Sequence, residues 1–220
     1  MGIEKIFSIL RARTDEEAMC RVKTHDDHRE FAALVERWQQ PILNLCTRMT
    51  GDIHRGEDLK QETFSRLFQK RKDFEPGGRF SSWLWRMALN VCYDDLRRGH
   101  RRPELSNSLA QDGSDALEEC VAESPGPDDS AAQLEEGELV RRALLQLPEI
   151  YRTVLVLRHY EDLKLGRIAE ILGIPEGTVN SRMAEALSRL SRILQPQLGG
   201  KPRVTPLPNK INQPIEAFIL

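Results

Sequence analysis

With 220 residues, the chain can bury one large core or two small ones. Its 32 basic and 34 acidic residues leave a formal charge of −2. That balance hides segregation, because cations dominate from Lys60 to Arg102 while no Lys or Arg occurs from Glu104 to Glu138. The near-neutral total therefore does not exclude nucleic acid. Four scattered cysteines without a C-x-x-C pair suggest neither a zinc ribbon nor a disulfide framework, and they read as reduced thiols.

The opening, MGIEKIFSILRAR, has an apolar run broken by charge and far shorter than the roughly 20 residues a membrane span needs. It predicts no signal peptide, no membrane insertion and a cytoplasmic location. Ile3, Ile6, Phe7 and Leu10 can form one side of a short helix, so residues 1–27 read either as a docking arm or as a frayed extension. His25-Asp26-Asp27-His28 offers metal-ligand types, but beside no cysteine and far from His54, His100 and His159, so no metal is expected. From Arg29, Phe31, Leu34, Val35, Trp38, Ile42, Leu45, Cys46 and Met49 recur at helical spacing, with Pro41 expected to bend or interrupt the helix and Thr50-Gly51-Asp52 to close it.

The stretch Asp58 to Arg102 joins two amphipathic helices through a glycine loop. The first puts Leu59, Thr63, Phe64, Leu67 and Phe68 on one side, and Asp58, Gln61, Glu62, Ser65 and Gln69 on the other. The second, with Ser81 and Ser82 as expected caps, sends Leu84, Met87, Ala88 and Val91 inward. Arg86, Asn90, Tyr93 and Arg97 line its other face at intervals of four, three and four. Guanidinium groups suit phosphates, amides suit base edges and rings suit unstacked bases, so this stripe fits nucleic acid. Taken alone, it also fits plain solvent cover.

Residues 103–137 are rich in Pro, Gly, Ser and Asp and read as a flexible acidic linker. Beyond it, Leu139, Ala143 and Leu144 mark one helix, ended by Leu147-Pro148, and Tyr151, Val154, Leu155 and Leu157 mark the next. The run from Leu163 to Leu194 then has a helix-turn-helix pattern: Ile168, Ile171 and Leu172 face inward, Ala169 is small at the crossing, Gly173 turns and Ile174 plugs the corner. Val179, Met183, Leu187 and Leu190 continue the stripe. That geometry exposes Thr178, Asn180, Ser181, Arg182 and Glu185 to a major groove. The tail, 199–220, is proline-rich and ends in an apolar run, Ile215 to Leu220. The expected fold is all-α: a bundle at 28–102, the linker at 103–137, and a helix-turn-helix domain at 138–198. The chain lacks a phosphate-binding loop, H-E-x-x-H and a nucleophile elbow, which argues against an enzyme and against a cofactor or small-molecule substrate.

Together the two halves resemble bacterial RNA polymerase sigma factors of the extracytoplasmic-function (ECF) group within the sigma-70 family. Asp58-Leu59-Lys60-Gln61-Glu62-Thr63-Phe64 is similar to that group's D-x-x-Q-E-x-F. Phe80 to Asn90 is similar to F-x-T-W-L-Y-R-I-A-x-N, and Ile168 to Arg182 to I-A-E-I-L-G-I-P-x-G-T-V-K-S-R. The resemblance implies that Asp58, Gln61, Glu62 and Ser65 dock on core RNA polymerase. It implies that the loop from Phe74 through Arg79 and Phe80 captures a base flipped out of the minus-ten promoter element. On the following helix, Arg86, Asn90, Tyr93, Arg97, Arg98, Arg101 and Arg102 would hold the strand. Thr178, Asn180, Ser181, Arg182 and Glu185 would read the minus-thirty-five element, and the linker would thread toward the polymerase active site. Trp83 is expected in the core. An anti-sigma protein is a further implied partner, whose identity nothing in the sequence encodes. Asn180 and Glu185 depart from the basic pattern of the group, and a glutamate facing phosphates is repulsive although it can accept a bond from cytosine. The competing reading is a helix-turn-helix regulator that binds duplex DNA without polymerase.

Overall fold

A computed structural model describes residues 14–101 and 127–196, the side chains of residues 100, 101 and 127–136 apart. The order is α1 (Asp15–His25), α2 (His28–Thr50), α3 (Ile53–Gln69), a 3-10 turn (Arg71–Asp73) and α4 (Phe80–Arg101). Then follow α5 (Pro127–Gln146), α6 (Glu149–Leu155), a π-helical turn (Val156–Tyr160), α7 (Leu165–Leu172) and α8 (Glu176–Leu194). No strand occurs among the described residues. The helix expected around Ile3 to Leu10, the middle of the linker and the apolar tail end lie outside the described residues.

Helix α1 falls in the second half of the stretch read as an arm or extension, and it is built in. Ala18, Met19 and Val22 are fully buried, Thr14 and Glu17 form a capping box, and Trp38 Nε1 donates to Asp15 Oδ2 at 2.9 Å. His25-Asp26-Asp27-His28 is a helix junction. Asp26 takes a left-handed conformation, φ 51°, and the Asp27 carboxylate accepts from the N–H groups of Arg29 and Glu30 to cap α2.

Of the bend or interruption expected at Pro41, the interruption does not occur, since helix α2 is continuous from His28 to Thr50. An interior proline costs about 3 kcal/mol, but Leu34, Ile42, Leu45, Cys46 and Met49 are each fully buried, at about 1.5–3 kcal/mol per large side chain. Packing therefore outweighs the local penalty. The helix closes at Gly51, φ 82°, whose N–H reaches Thr47 O at 2.7 Å, and a Cβ there would run into Leu145 of the second unit. Helix α4 starts at Phe80, one residue before the expected serine caps. Its first N–H is taken by Glu16 of α1 at 3.1 Å, a cap supplied from a distant segment. Trp83 is only half-buried, tilted on Phe74. Trp85 is the core tryptophan, 3% exposed and edge-on to Trp38.

In the second unit, α5 begins at Pro127, inside the stretch expected as linker, and ends before Leu147-Pro148 as expected. Helices α7 and α8 form the helix-turn-helix about Gly173, φ 66°, with Ile168, Ile171, Val179, Met183 and Ala186 buried. Gly173 and Ile174 both return N–H groups to Ala169 O.

One buried side chain, Arg152 of α6, fastens both units. Its guanidinium donates to Leu144 O at 3.1 Å, Leu145 O at 2.6 Å and Leu147 O at 3.0 Å, where α5 ends. It also donates to Met49 O at the end of α2. It thus closes two helix C-termini in different units, where unpaired carbonyls and the macrodipole both favour a cation. Burial lowers its pKa from the ordinary value while Glu149 opposes the shift. Arg152→Met keeps the volume but strands these carbonyls, and chemical denaturation should show a loss of about 2–4 kcal/mol. Arg152→Lys should recover only part of it, since an ammonium cannot span the same fork of acceptors.

Candidate nucleic-acid interface

Helix α3 is capped by Asp52, which accepts from His54 and Arg55 N–H groups at 2.8 and 3.1 Å. With Leu59, Thr63, Phe64 and Leu67 buried, the helix turns Asp58, Gln61 and Ser65 outward as one exposed face. Glu62 lies at its edge, bonded to Arg66 Nη2 at 2.5 Å and 4.0 Å from Arg98. Besides Glu62–Arg98, two ion pairs not among the expected contacts tie α3 to α4: Arg55 with Asp95, and Arg66 with Asp94 at 3.1 Å. The consecutive acids between Tyr93 and Arg97 carried that signal. The hydrogen bond that Arg66 donates to the Asp94 carboxylate raises the Arg66 pKa, against partial burial.

Helix α4 presents the stripe as expected, with Asn90 and Arg97 exposed and Tyr93 half-buried. Beside it lies a cleft of about 130 Å³ lined by Arg66, Lys70, Trp83, Arg86, Met87 and Asn90. Three cations, a ring and an amide converge there. Lys70 and Trp83 were not among the expected contacts, because they come from an adjoining turn and from a residue assigned to the core. The loop ahead of α4 divides by burial. Glu75 to Arg79 are exposed, whereas Phe74 and Phe80 are 2% and 0% exposed, so these two expected base contacts serve here as hydrophobic anchors of the loop. Arg101 and Arg102 have no described side chains.

The second unit sits on this surface. Arg86 donates to Ile171 O at 2.9 Å and Glu170 O at 2.7 Å, the carbonyl end of α7. Arg167 bonds the Ser81 hydroxyl, Arg79 lies 3.6 Å from Glu170, and the hydroxyls of Tyr93 and Thr153 are 2.7 Å apart. Burial pushes the Tyr93 hydroxyl pKa up, opposed by the Thr153 hydrogen bond and by the charge of Arg182 on α8. The two expected DNA surfaces are therefore brought together, and members of one stripe are engaged by the other unit.

On α8, Ser181 is exposed and Thr178, Asn180, Arg182 and Glu185 are half-buried. Glu185 is not a bare charge, as its carboxylate accepts from Arg189 Nε at 2.6 Å and Arg189 stacks over the Tyr151 ring at 4.5 Å. The Arg189 guanidinium thus sets a positive charge beside the glutamate that the sequence leaves facing phosphates.

Two adjacent helical units, one with a cationic cleft and one with a helix-turn-helix, define a DNA-binding factor. Comparison with known proteins gives the group. Sigma-70 region 2 matches residues 34–102 and Sigma-70, region 4 matches residues 137–190. The chain is 34% identical over 172 residues to the ECF RNA polymerase sigma factor SigW of Bacillus subtilis, covering 77% of this chain and 91% of that protein. It is 32% identical over 195 residues to the RNA polymerase sigma-H factor of Pseudomonas aeruginosa, covering 86% and 98%. In fold it is similar to CnrH, solved in complex with the cytosolic domain of CnrY, with a TM-score of 0.59 and 24% identity over 83% of this chain and 97% of that one. A second fold match is the sigma factor RpoE of Bartonella quintana, solved with the anti-sigma factor NepR, with a TM-score of 0.55 and 22% identity over 76% and 97%. The chain belongs to the ECF group of sigma-70 RNA polymerase sigma factors, and it acts with core polymerase in promoter recognition and transcription initiation.

A half-buried acid, Glu161, marks the seam between the units. Burial raises Glu161 from 4.5 to about 6, and Arg48 of α2, 3.3 Å away, opposes the shift. Arg48 also stacks on Tyr160 at 4.2 Å. Because the folded protein holds this proton more tightly than the unfolded chain, its contribution is fully present below pH 4.5 and lost as pH rises through about 6. Denaturation series should show that falling slope, and Glu161→Gln should flatten it.

Proposed function

We propose a division of labour among these surfaces. The exposed α3 face of Asp58, Gln61 and Ser65, with Glu62 at its edge, docks on a basic surface of core polymerase. The loop before α4 and the α4 stripe of Arg86, Asn90, Tyr93, Arg97 and Arg98 hold the melted minus-ten strand, with Arg79 at the loop and Arg101 and Arg102 continuing along the backbone. Thr178, Asn180, Ser181, Arg182 and Glu185 read the minus-thirty-five element. The loop's anchors, Phe74 and Phe80, act by shaping it. Unstacking costs a few kcal/mol per step, which binding the exposed strand in a cationic, ring-lined cleft offsets without bond chemistry. The protein is accordingly a binding factor and not an enzyme. It works in the cytoplasm, with no cofactor.

The observation that carries this reading is the pair of bonds from Arg86 to Glu170 O and Ile171 O. The guanidinium already grips two oxygens at the negative end of a helix, an arrangement that resembles a bidentate hold on phosphate. Those carbonyls and a DNA strand compete for the same cation. The two units must part for the promoter contacts to form, and the α3 face, which stays exposed in the closed arrangement, lets polymerase dock first. By analogy with the complex described for the Bartonella quintana protein, an anti-sigma protein is a further partner we assign.

Asp58→Lys should lower affinity for core polymerase roughly fivefold to tenfold by facing the basic surface with like charge. Arg86→Ala should leave that affinity intact and reduce open-complex formation by assembled holoenzyme about tenfold. Pull-down and permanganate footprinting on the same preparations check both, and identical defects in the two variants would sink the division of labour. Failure of the unmodified chain to bind core polymerase would instead favour a polymerase-independent regulator.

A further inference from the structure

Helix α1 touches the promoter-facing loop at both of its ends. Lys23 Nζ donates to Phe74 O at 2.6 Å, the last carbonyl before the exposed residues 75–79. Glu16 Oε1 accepts from Phe80 N–H at 3.1 Å, the first amide after them. Glu16 and Lys23 are seven residues apart, hence on one face of α1 about 10 Å along its axis. Two turns of rigid helix thus set the spacing of the loop's two stems.

The loop needs such a frame. It contains Pro76, Gly77 with φ 97°, and Gly78, and its internal bond is Gly78 N–H to Glu75 O at 2.9 Å. A segment with two glycines loses much conformational freedom when a ligand orders it, so holding its ends beforehand favours capture of one base geometry. Helix α1 can act as the frame because it is itself fastened. Asp15 pairs with Arg37 at 2.6 Å and accepts from Trp38, and Asp26 pairs with Arg71 at 2.5 Å, with Arg71 stacked over Phe68 at 4.3 Å. The Asp26 carboxyl is correspondingly lowered, chiefly by the Arg71 hydrogen bond.

We propose that Lys23 and Glu16 are positioning residues that preset the 75–79 loop for selection of a single minus-ten base. This rests on the loop being the base-capturing element, as assigned above. Both residues precede the segment matched by Sigma-70 region 2, which begins at residue 34. Neither touches the base. They act through the backbone at Phe74 and Phe80.

The test is transcription by core polymerase with the full chain on a promoter library randomised across the minus-ten element, with transcripts sequenced to give a base preference at each position. Lys23→Met and Glu16→Ala should each reduce the preference at one position about tenfold, the scale of a lost base-selective contact. The other positions, the minus-thirty-five preference and core affinity should stay unchanged. Lys23→Arg, which keeps a donor, and Glu16→Gln, which keeps an acceptor oxygen, should restore most of it. An even fall at all positions, a fall that follows the melting temperature of the variants, or no change overturns the proposal. Replacing residues 75–79 by glycine and serine separates the two claims. If that removes one base preference while Lys23→Met and Glu16→Ala do not, positioning alone fails. If it leaves every preference intact, the loop does not read a base, and both claims fall.

Discussion

The arrangement of this protein depends on how the ends of its helices are satisfied. Every α-helix leaves four carbonyls without partners at its C-terminus, and in a small protein several of those ends fall inside. Arg152 answers for two of them at once, taking carbonyls where α5 ends and Met49 O near the end of α2. One guanidinium thus serves both the internal order of the second helical unit, through three carbonyls of its own, and its seating on the first, through Met49 O. The left-handed turn at Gly51, next to Leu145, belongs to the same junction.

The same chemistry recurs at the promoter surface. Arg86 treats the carbonyl end of α7 much as it would treat a phosphate, and it does so with a side chain that the group resemblance places against DNA. Under the proposed function, affinity between the units and affinity for a strand draw on the same donor, so closure and strand binding compete. The α3 face proposed for polymerase stands outside that competition: Asp58, Gln61 and Ser65 are exposed, and the Arg55–Asp95 and Arg66–Asp94 pairs that join α3 to α4 involve no residue of the second unit.

Much of the fold was legible from local pattern. The repeated apolar spacing from Phe31 to Met49, the glycine closure at Gly51, the stop at Leu147-Pro148 and the turn at Gly173 are each set by residues within a few positions of one another. Sequence periodicity reports such interactions directly. It misjudged places where a distant partner decides. Pro41 sits in an unbroken helix because buried contacts on both sides of it outweigh a local penalty, and Phe80 rather than Ser81 opens α4 because Glu16 supplies the cap. Trp83 and Trp85 lie on different sides of the same helix, and the aromatic partners Phe74 and Trp38 determine which is core. Local pattern leaves α1 looking like an extension or arm, because nothing local reveals that Lys23 and Glu16 reach residues more than fifty positions away.

By itself the sequence determined an all-helical chain of two units, the outward polar face of α3, the cationic stripe of α4 and the helix-turn-helix, because helical period and turn chemistry are short-range properties. The tertiary structure decided what those faces meet. It engaged Arg86 with backbone carbonyls, paired Glu185 with Arg189, buried Phe74 and Phe80 as loop anchors and seated α1 against both ends of the loop. These depend on contacts between segments far apart in the chain, and such contacts are fixed by packing and not by the spacing of residues along one helix.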